Sequence, residues 1–340
     1  MTHVRIGKKV APAFSLDVEF DISGVTALFG PAGAGKTLIL ECIAGIARPD
    51  SGRILRDDVL LFDAEARVHV PPRRRACGYL PQRSALFPHM TVRQNLAFAA
   101  GGARLERHRR VAEMLDKFVL AGAAQRRPAE LDAALRTRAA VARALLAAPR
   151  LLLFDEPELP EPLFHQVRAE FTGPVLLASR SLDRCAALAD QLLVLDAGRI
   201  LRRGTPRDVL DQPESVEVAR LLGIPNLFEC TIAGLDPGRN SSRLESALFQ
   251  LTGPYLPGHF KGDRVWVAIR PERIRVHSAS ATPIANGVKA KLVRVSHRAE
   301  AVRLEFAGGL FADLSPDEFA RQRDNKDWQL ELPSDALRVL

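Results

Sequence analysis

At 340 residues, with 47% hydrophobic and 26% charged side chains, the chain has enough material for two packed domains and does not read as a disordered tail. Its formal charge of +8 and pI near 9.7 would suit an anionic partner, but the cations run along the whole length with few aromatics beside them, so no nucleic acid is expected. Cys42, Cys77, Cys185 and Cys230 lack metal-like or disulfide-like spacing, the amino terminus has no signal-peptide core, and no apolar run nears the roughly 20 residues that span a bilayer. A cytoplasmic chain without direct membrane insertion is the expectation.

In chain order the first informative stretch is "VTALFG" (25–30), a buried strand that runs into "GPAGAGKT" and then the amphipathic pattern "KTLILECIAGI". This is G-x-x-x-x-G-K-[ST] in its required strand-to-helix setting. Glycines let backbone N–H groups converge on phosphate oxygens, and the helix start adds the positive end of its dipole. Gly30, Pro31, Ala32, Gly33, Ala34, Gly35, Lys36, Thr37 and Leu38 are therefore read as nucleotide-binding, with Lys36 on the β- and γ-phosphates and the Thr37 hydroxyl on Mg²⁺. Further apolar runs follow at "ACGYLP" (76–81), "RLLLFDE" (150–156), "PVLLAS" (174–179) and "QLLVLDAG" (191–198). Separated by helical patterns, they predict a largely parallel sheet covered on both faces. Between them, "RLERHRR" (104–110) reads as the wet face of a helix packed through Val111, Met114, Leu115 and Phe118, and 130–147 as a helix packed through Leu135, Ala139, Ala142 and Leu146. "PPRRRA" (71–76) is the other dense basic run. At the carboxyl end of its strand, Asp155 is placed to hold Mg²⁺, and Glu156 to act as general base on water. After "LLGIPNLFEC" the texture changes to short alternating segments broken by turn residues, which predicts a small β-barrel or sandwich. The division is read as 1–224 and 225–340, with a last module at about 283–340.

"GPAGAGKT", then "CGYLPQRSALFPHMTVRQNLAF" with Gln82, then "LLLFDEP" resembles, in order and spacing over about residues 1–220, the nucleotide-binding subunit of an ABC transporter. The resemblance implies an ABC-type P-loop NTPase domain that binds ATP and Mg²⁺, pairs with a second ATP-binding subunit, and works peripherally on the inner face of the cell membrane. It also makes Gln82 a Mg²⁺ contact that senses the membrane subunits, and the "SALFPHMTVRQNL" segment the surface that grips the permease. "VLLFDAEARVHVPPRRRACGYLPQRSALFPHMTVRQNL" is similar to the ATPases of molybdate importers, with other oxyanion importers close behind. "VAIRPERIRV" (267–276) and "PIANGVKAKLVRV" (283–295) resemble that branch's regulatory, oligomer-binding-like (TOBE) extension. There Pro283, Ile284, Ala285 and Asn286 match an oxyanion-binding start only in part, and a purely structural module is the alternative.

Three stretches depart from the family. Its Leu-Ser-Gly-Gly-Gln motif, which faces the partner's nucleotide, aligns with Leu131, Asp132, Ala133, Ala134 and Leu135. A carboxylate roughly 4 Å from a phosphate charge is repelled by about 4 kcal/mol at an effective dielectric near 20, whereas Asp132 suits the local role of helix N-cap. The open alternative is that Ala133 and Ala134 still offer backbone N–H groups while Asp132 turns aside. After "DEP", "ELPEPLFHQVRAEFTG" reaches the next strand early and carries Pro160 and Pro162, and the family's γ-phosphate histidine position holds Arg180, a permanent cation that can still bind ATP. Two functions remain in view: an importer ATPase whose homodimer hydrolyses weakly or needs a partner with an intact motif, and a nucleotide-binding regulatory scaffold without turnover.

Overall fold

The computed structural model describes residues 1–11, 14–82, 86–278, 284–323, 325 and 327–340. Strands β1 (Thr2–Ala11) and β2 (Phe14–Ile22) form an antiparallel pair, β3 (Val25–Phe29) enters α1 (Lys36–Ala44), and β4 (Ser51–Arg56), β5 (Val59–Asp63) and β6 (Val68–His69) return to the first pair. Next come β7 (Cys77–Leu80), α2 (Val92–Ala99), α3 (Arg104–Lys117), α4 (Ala133–Leu146), β8 (Leu151–Asp155), α5 (Glu161–Glu170), β9 (Val175–Ser179), α6 (Leu182–Leu188), β10 (Gln191–Asp196) and β11 (Arg199–Gly204).

The strands read from the sequence assemble into one sheet of order β11-β10-β3-β9-β8-β7, parallel except for the β10–β11 pair. Every residue of β3, β8 and β9 is buried, as expected of strands covered on both faces. Alternate residues of β8 feed different cores: Leu152 and Phe154 join the helices α2 to α5, and Leu151 and Leu153 join α1. The sequence reading had no place for the second sheet, β2-β1-β4-β5-β6, which is antiparallel and shares the α1 core through Val4, Ile6, Phe20 and Ile54. Its strands alternate between buried and exposed residues, so they carry no long apolar run.

Within α3, Val111 and Leu115 are buried, and Phe118 caps the helix in the core. In α4, Ala139, Ala142 and Leu146 are buried, while Leu135, assigned to the same face, is only partly covered. The basic run at 71–76 hides a core residue. Arg75 is 0% exposed and donates to Val70 O at 2.7 Å and to Cys42 O and Ile43 O at 2.8 Å, closing the carboxyl end of α1 where its dipole is negative. Gly45 makes room for it, because a Cβ there would lie 2.5 Å from Arg75 Nε.

Two compact units divide between Val209 and Leu210, upstream of the 224/225 position read from the change in texture. The intervening residues belong to the second unit because they pack on its strands: Val218 and Ala219 are buried and Arg220 lies over the Trp266 ring. After α7 (Pro206–Asp211) and α8 (Val216–Leu221) come β12 (Asn226–Asp236), β13 (Ser241–Glu245), β14 (Gln250–Pro254), β15 (Arg264–Ile269), β16 (Arg275–Ser278), β17 (Gly287–Ala290), β18 (Leu292–His297), β19 (Val302–Phe306), β20 (Leu310–Leu314), α9 (Pro316–Gln322), β21 (Trp328–Glu331) and β22 (Arg338–Val339). They form sheets β14-β13-β12-β15-β22, β16-β21-β17 and β18-β19-β20 around one core that includes Val267, Leu304, Phe306, Trp328 and Leu330. The segment is all-β apart from its short helices, as its alternating texture predicts.

Candidate functional site

The site lies where parallel strands β3, β8 and β9 end. Between β3 and α1 the backbone turns tightly enough that a Cβ on Gly30 would lie 2.1 Å from Leu195 O. Gly35 is the N-cap of α1 at φ 105°, a left-handed conformation that only glycine adopts cheaply, and no side chain caps this helix start. Its first N–H groups are thus left for a ligand.

Lys36 is buried and folds back over the loop, donating to Gly30 O at 2.8 Å and Pro31 O at 2.9 Å, with Glu156 Oε1 at 3.3 Å. Thr37 Oγ1 is 3.0 Å from Asp155 Oδ1 and 2.9 Å from Oδ2, and the Tyr79 hydroxyl donates to Oδ2 at 3.4 Å. Burial pushes the Asp155 carboxyl above its ordinary range, and the hydrogen bonds from Thr37 and Tyr79 pull it part of the way back. The same burial, and then the charge of Asp155, raise the Tyr79 hydroxyl. Beneath the site, burial and then the charge of Glu156 push the Cys185 thiol up to about 12, which keeps it a neutral core group. Glu156 is held at φ 46°, a strained setting for a side chain with a Cβ and one that recurs where residues are aimed at ligands.

A cleft of ≈ 420 Å³ opens over these groups, lined by Ala32, Gly33, Gly35, Lys36, Thr37 and Leu38 of the loop and by Gln82, Glu156 and Arg180. Phe14 and Val10 form part of its wall, and Phe14 Cζ comes within 3.1 Å of where a Gly35 Cβ would be. Gly30, Pro31 and Ala34 do not line this cleft; Gly30 and Ala34 are buried and Pro31 is exposed. Asp155 and Thr37 meet directly, while Gln82 reaches the cleft from the end of β7 and also lines a neighbouring cavity of ≈ 350 Å³ with Ala133, Arg136, Arg143 and Glu158. Arg180 Nε lies 3.4 Å from Glu156 Oε1, and its backbone N donates to Oε2 at 3.0 Å. The Thr37 hydroxyl and the Asp155 carboxylate meet as oxygen donors of the kind Mg²⁺ prefers, and Gln82 lines the same cleft as Thr37. Tyr79 is the contact that sequence reasoning missed. It lies three residues before Gln82 in an apolar strand, and its hydroxyl was the one available signal.

The stretch aligned with the family's trans-acting motif takes a different form. Leu131 is buried, Asp132 caps α4 by accepting from Leu135 N at 2.7 Å, and Ala133 and Ala134 are exposed in the first turn. In the second unit Asn286, at φ 52°, accepts from Thr252 N at 2.7 Å and donates through Nδ2 to Thr252 O at 2.8 Å and Leu332 O at 2.9 Å. Both Nδ2 protons are used on backbone, which fits the structural alternative for this module. Pro283 lies outside the described residues, as do Ser84 and Ala85 at the start of the expected permease surface, and Ile284 and Ala285 form the approach to Asn286.

A phosphate-binding loop, an Asp-Glu pair at the end of a parallel strand and a polar turn on the next strand together define an ATP-binding-cassette protein. The ABC transporter family model matches residues 15–158. A molybdenum import ATP-binding protein of Rhizobium etli is 36% identical over 82% of this chain and 79% of its own length. One of Rhodospirillum rubrum is 37% identical over 63% of this chain and 60% of that protein, so this match spans less than two thirds of the relative. Among solved structures, an ATP-binding subunit of an ABC transporter superposes with TM-score 0.52 at 25% identity, covering 61% of this chain and 91% of that one. A Clostridium perfringens component of an ABC transporter complex shares the fold, with TM-score 0.53 at 22% identity over 65% and 94% of the two chains. The chain belongs to the ABC transporter ATP-binding family, and the relatives it resembles here are molybdenum import ATP-binding proteins. No helix among the described residues is long and apolar enough to cross a membrane.

Proposed function

We propose that the chain is the ATP-binding and ATP-hydrolysing subunit of an importer for an oxyanion such as molybdate, working with a second ATP-binding subunit and membrane permease subunits on the inner face of the cell membrane. The observation that carries this reading is the Lys36, Thr37, Asp155 and Glu156 cluster beneath the uncapped start of α1. Lys36 leaves Gly30 O and Pro31 O to neutralise the β- and γ-phosphates, and the N–H groups of 33–37 cradle them. Glu156 orients water and takes its proton during in-line attack on the γ-phosphorus. Thr37 and Asp155, with Gln82, would hold Mg²⁺, which supplies charge neutralisation at the phosphate oxygens. Phe14, which lines the cleft, would be the side chain that stacks on the adenine.

The permease surface follows from the family resemblance and is supported by Phe98, 67% exposed, packed edge-on against Phe87 at a centroid distance of 4.7 Å. The kinship to molybdenum import proteins supports the oxyanion as cargo. The segment 225–340, which lies within the second unit, is in our reading a regulatory module of the oligomer-binding type.

The self-capped start of α4 favours a second reading, a nucleotide-binding scaffold without turnover, or a chain that borrows an intact motif from a different partner. Purified protein separates these. Lys36→Ala abolishes ATP binding under both readings. Glu156→Gln reduces steady-state ATP turnover if the chain is an ATPase, and leaves the wild-type background rate unchanged if it is a scaffold.

A further inference from the structure

The turns that follow β8 and β9 are laced together. Glu156 N donates to Ala178 O at 2.9 Å, Arg180 N donates to Glu156 Oε2 at 3.0 Å, and the Arg184 guanidinium donates to Pro157 O. Ser181 caps α6 by accepting from Arg184 N at 3.2 Å. The backbone beneath Arg180 is therefore fixed, and its guanidinium, on a side chain 57% exposed, is the part able to change partner.

On the Glu156 carboxylate, Oε1 meets both Lys36 Nζ at 3.3 Å and Arg180 Nε at 3.4 Å, while Oε2 is taken by backbone. The two cations beside Oε1 and the backbone N–H on Oε2 crowd the approach of a water that must give up a proton to this carboxylate. Because Arg180 and Lys36 converge on one oxygen, and Lys36 is the loop lysine, the guanidinium lies at the γ-phosphate end of the cleft. A γ-phosphate carries more charge than a carboxylate and suits the arginine fork, whereas ADP puts nothing there.

We propose that Arg180 is a γ-phosphate-released latch on Glu156, a positioning residue that covers the base in the absence of ATP and moves to the γ-phosphate when ATP arrives. The proposal rests on the nucleotide reading above. Once Oε1 is uncovered, a water oxygen bonds to the γ-phosphorus, and the bond from that phosphorus to the β–γ bridging oxygen breaks, its electron pair leaving with ADP. The water proton passes to Glu156 and then to the released phosphate. The latch thus makes exposure of the base depend on the substrate in this chain's own cleft.

The test is calorimetric affinity of the full chain for Mg·ATP and Mg·ADP in wild type, Arg180→Ala, Arg180→Lys, Glu156→Gln and the Arg180→Ala/Glu156→Gln double variant. Arg180→Ala is expected to weaken ATP roughly five- to tenfold with ADP unchanged, and Arg180→Lys to keep part of the preference. Glu156→Gln is expected to tighten ATP when Arg180 is present, by about threefold more than it does in the Arg180→Ala background. Equal effects of Arg180→Ala on ATP and ADP, or equal tightening by Glu156→Gln in both backgrounds, overturn the latch while leaving nucleotide binding in place. A wild-type chain that binds neither nucleotide overturns the nucleotide reading itself and the latch with it.

Discussion

Two helix starts in the first unit solve the same electrostatic problem in opposite ways. At α1 the N-cap is Gly35, with no side-chain hydrogen bond capping the first turn, and the helix start lines an open cleft. At α4 the N-cap is Asp132, whose own carboxylate accepts from Leu135 N and balances the dipole within the chain. The first start has no side-chain cap, and the second supplies its own. An uncapped start costs stability that a ligand can restore, which marks a binding end. A capped start gives up that use for local stability, so the position that aligns with the family's trans-acting motif serves the helix first.

The contrast can be broken at several strengths. Gly35→Ala puts a Cβ at φ 105° and against Phe14, so it should destabilise the first unit by about 2–3 kcal/mol and remove ATP binding, read by thermal melts and calorimetry. An ATP affinity left intact would show that the α1 start is not the phosphate site. Converting the α4 start with Asp132→Ser, Ala133→Gly and Ala134→Gly should raise turnover of the purified homodimer about tenfold if the missing trans contact limits hydrolysis. An unchanged rate would remove the missing trans contact as the limit on hydrolysis and leave the Pro160/Pro162 stretch and Arg180 as its sources.

Asp155 gives a third, smaller effect whose sign follows from its raised carboxyl. The folded state holds this proton more tightly than the unfolded chain, so the stability it contributes is present at low pH and lost as pH rises through the raised value. Asp155→Asn should therefore raise the melting temperature at neutral pH in the absence of nucleotide and metal, with a flatter dependence of melting temperature on pH, while losing Mg²⁺-dependent turnover. A wild-type profile in the variant would remove burial of this carboxylate from the account. The smallest effect is that of Asp132→Ala, which should cost about 1 kcal/mol through the lost cap and leave ATP affinity unchanged.

Much of the first unit is legible in the chain because its chemistry is local. The loop from Gly30 to Thr37 and the Asp155-Glu156 pair are contiguous in sequence, and the apolar runs of β3, β8 and β9 record burial on both faces. Asp132 reads as an N-cap because a cap bonds only three residues ahead. The antiparallel sheet escapes notice because half of each strand faces water, and Arg75 because a cation in a basic run looks solvated until the carboxyl end of α1 is placed over it.

The sequence by itself therefore determined the glycine-rich loop between β3 and α1, the acidic pair at the end of β8, the buried strands of the parallel sheet and the change to β texture in the second half, each written in residues a few positions apart. Tertiary structure alone decided that Tyr79 meets Asp155, that Lys36 and Arg180 share one oxygen of Glu156, and that Asn286 spends its amide on Thr252 and Leu332. Those partners lie far apart along the chain, and only the ends of adjacent strands and the closing of a sheet bring them within hydrogen-bonding range.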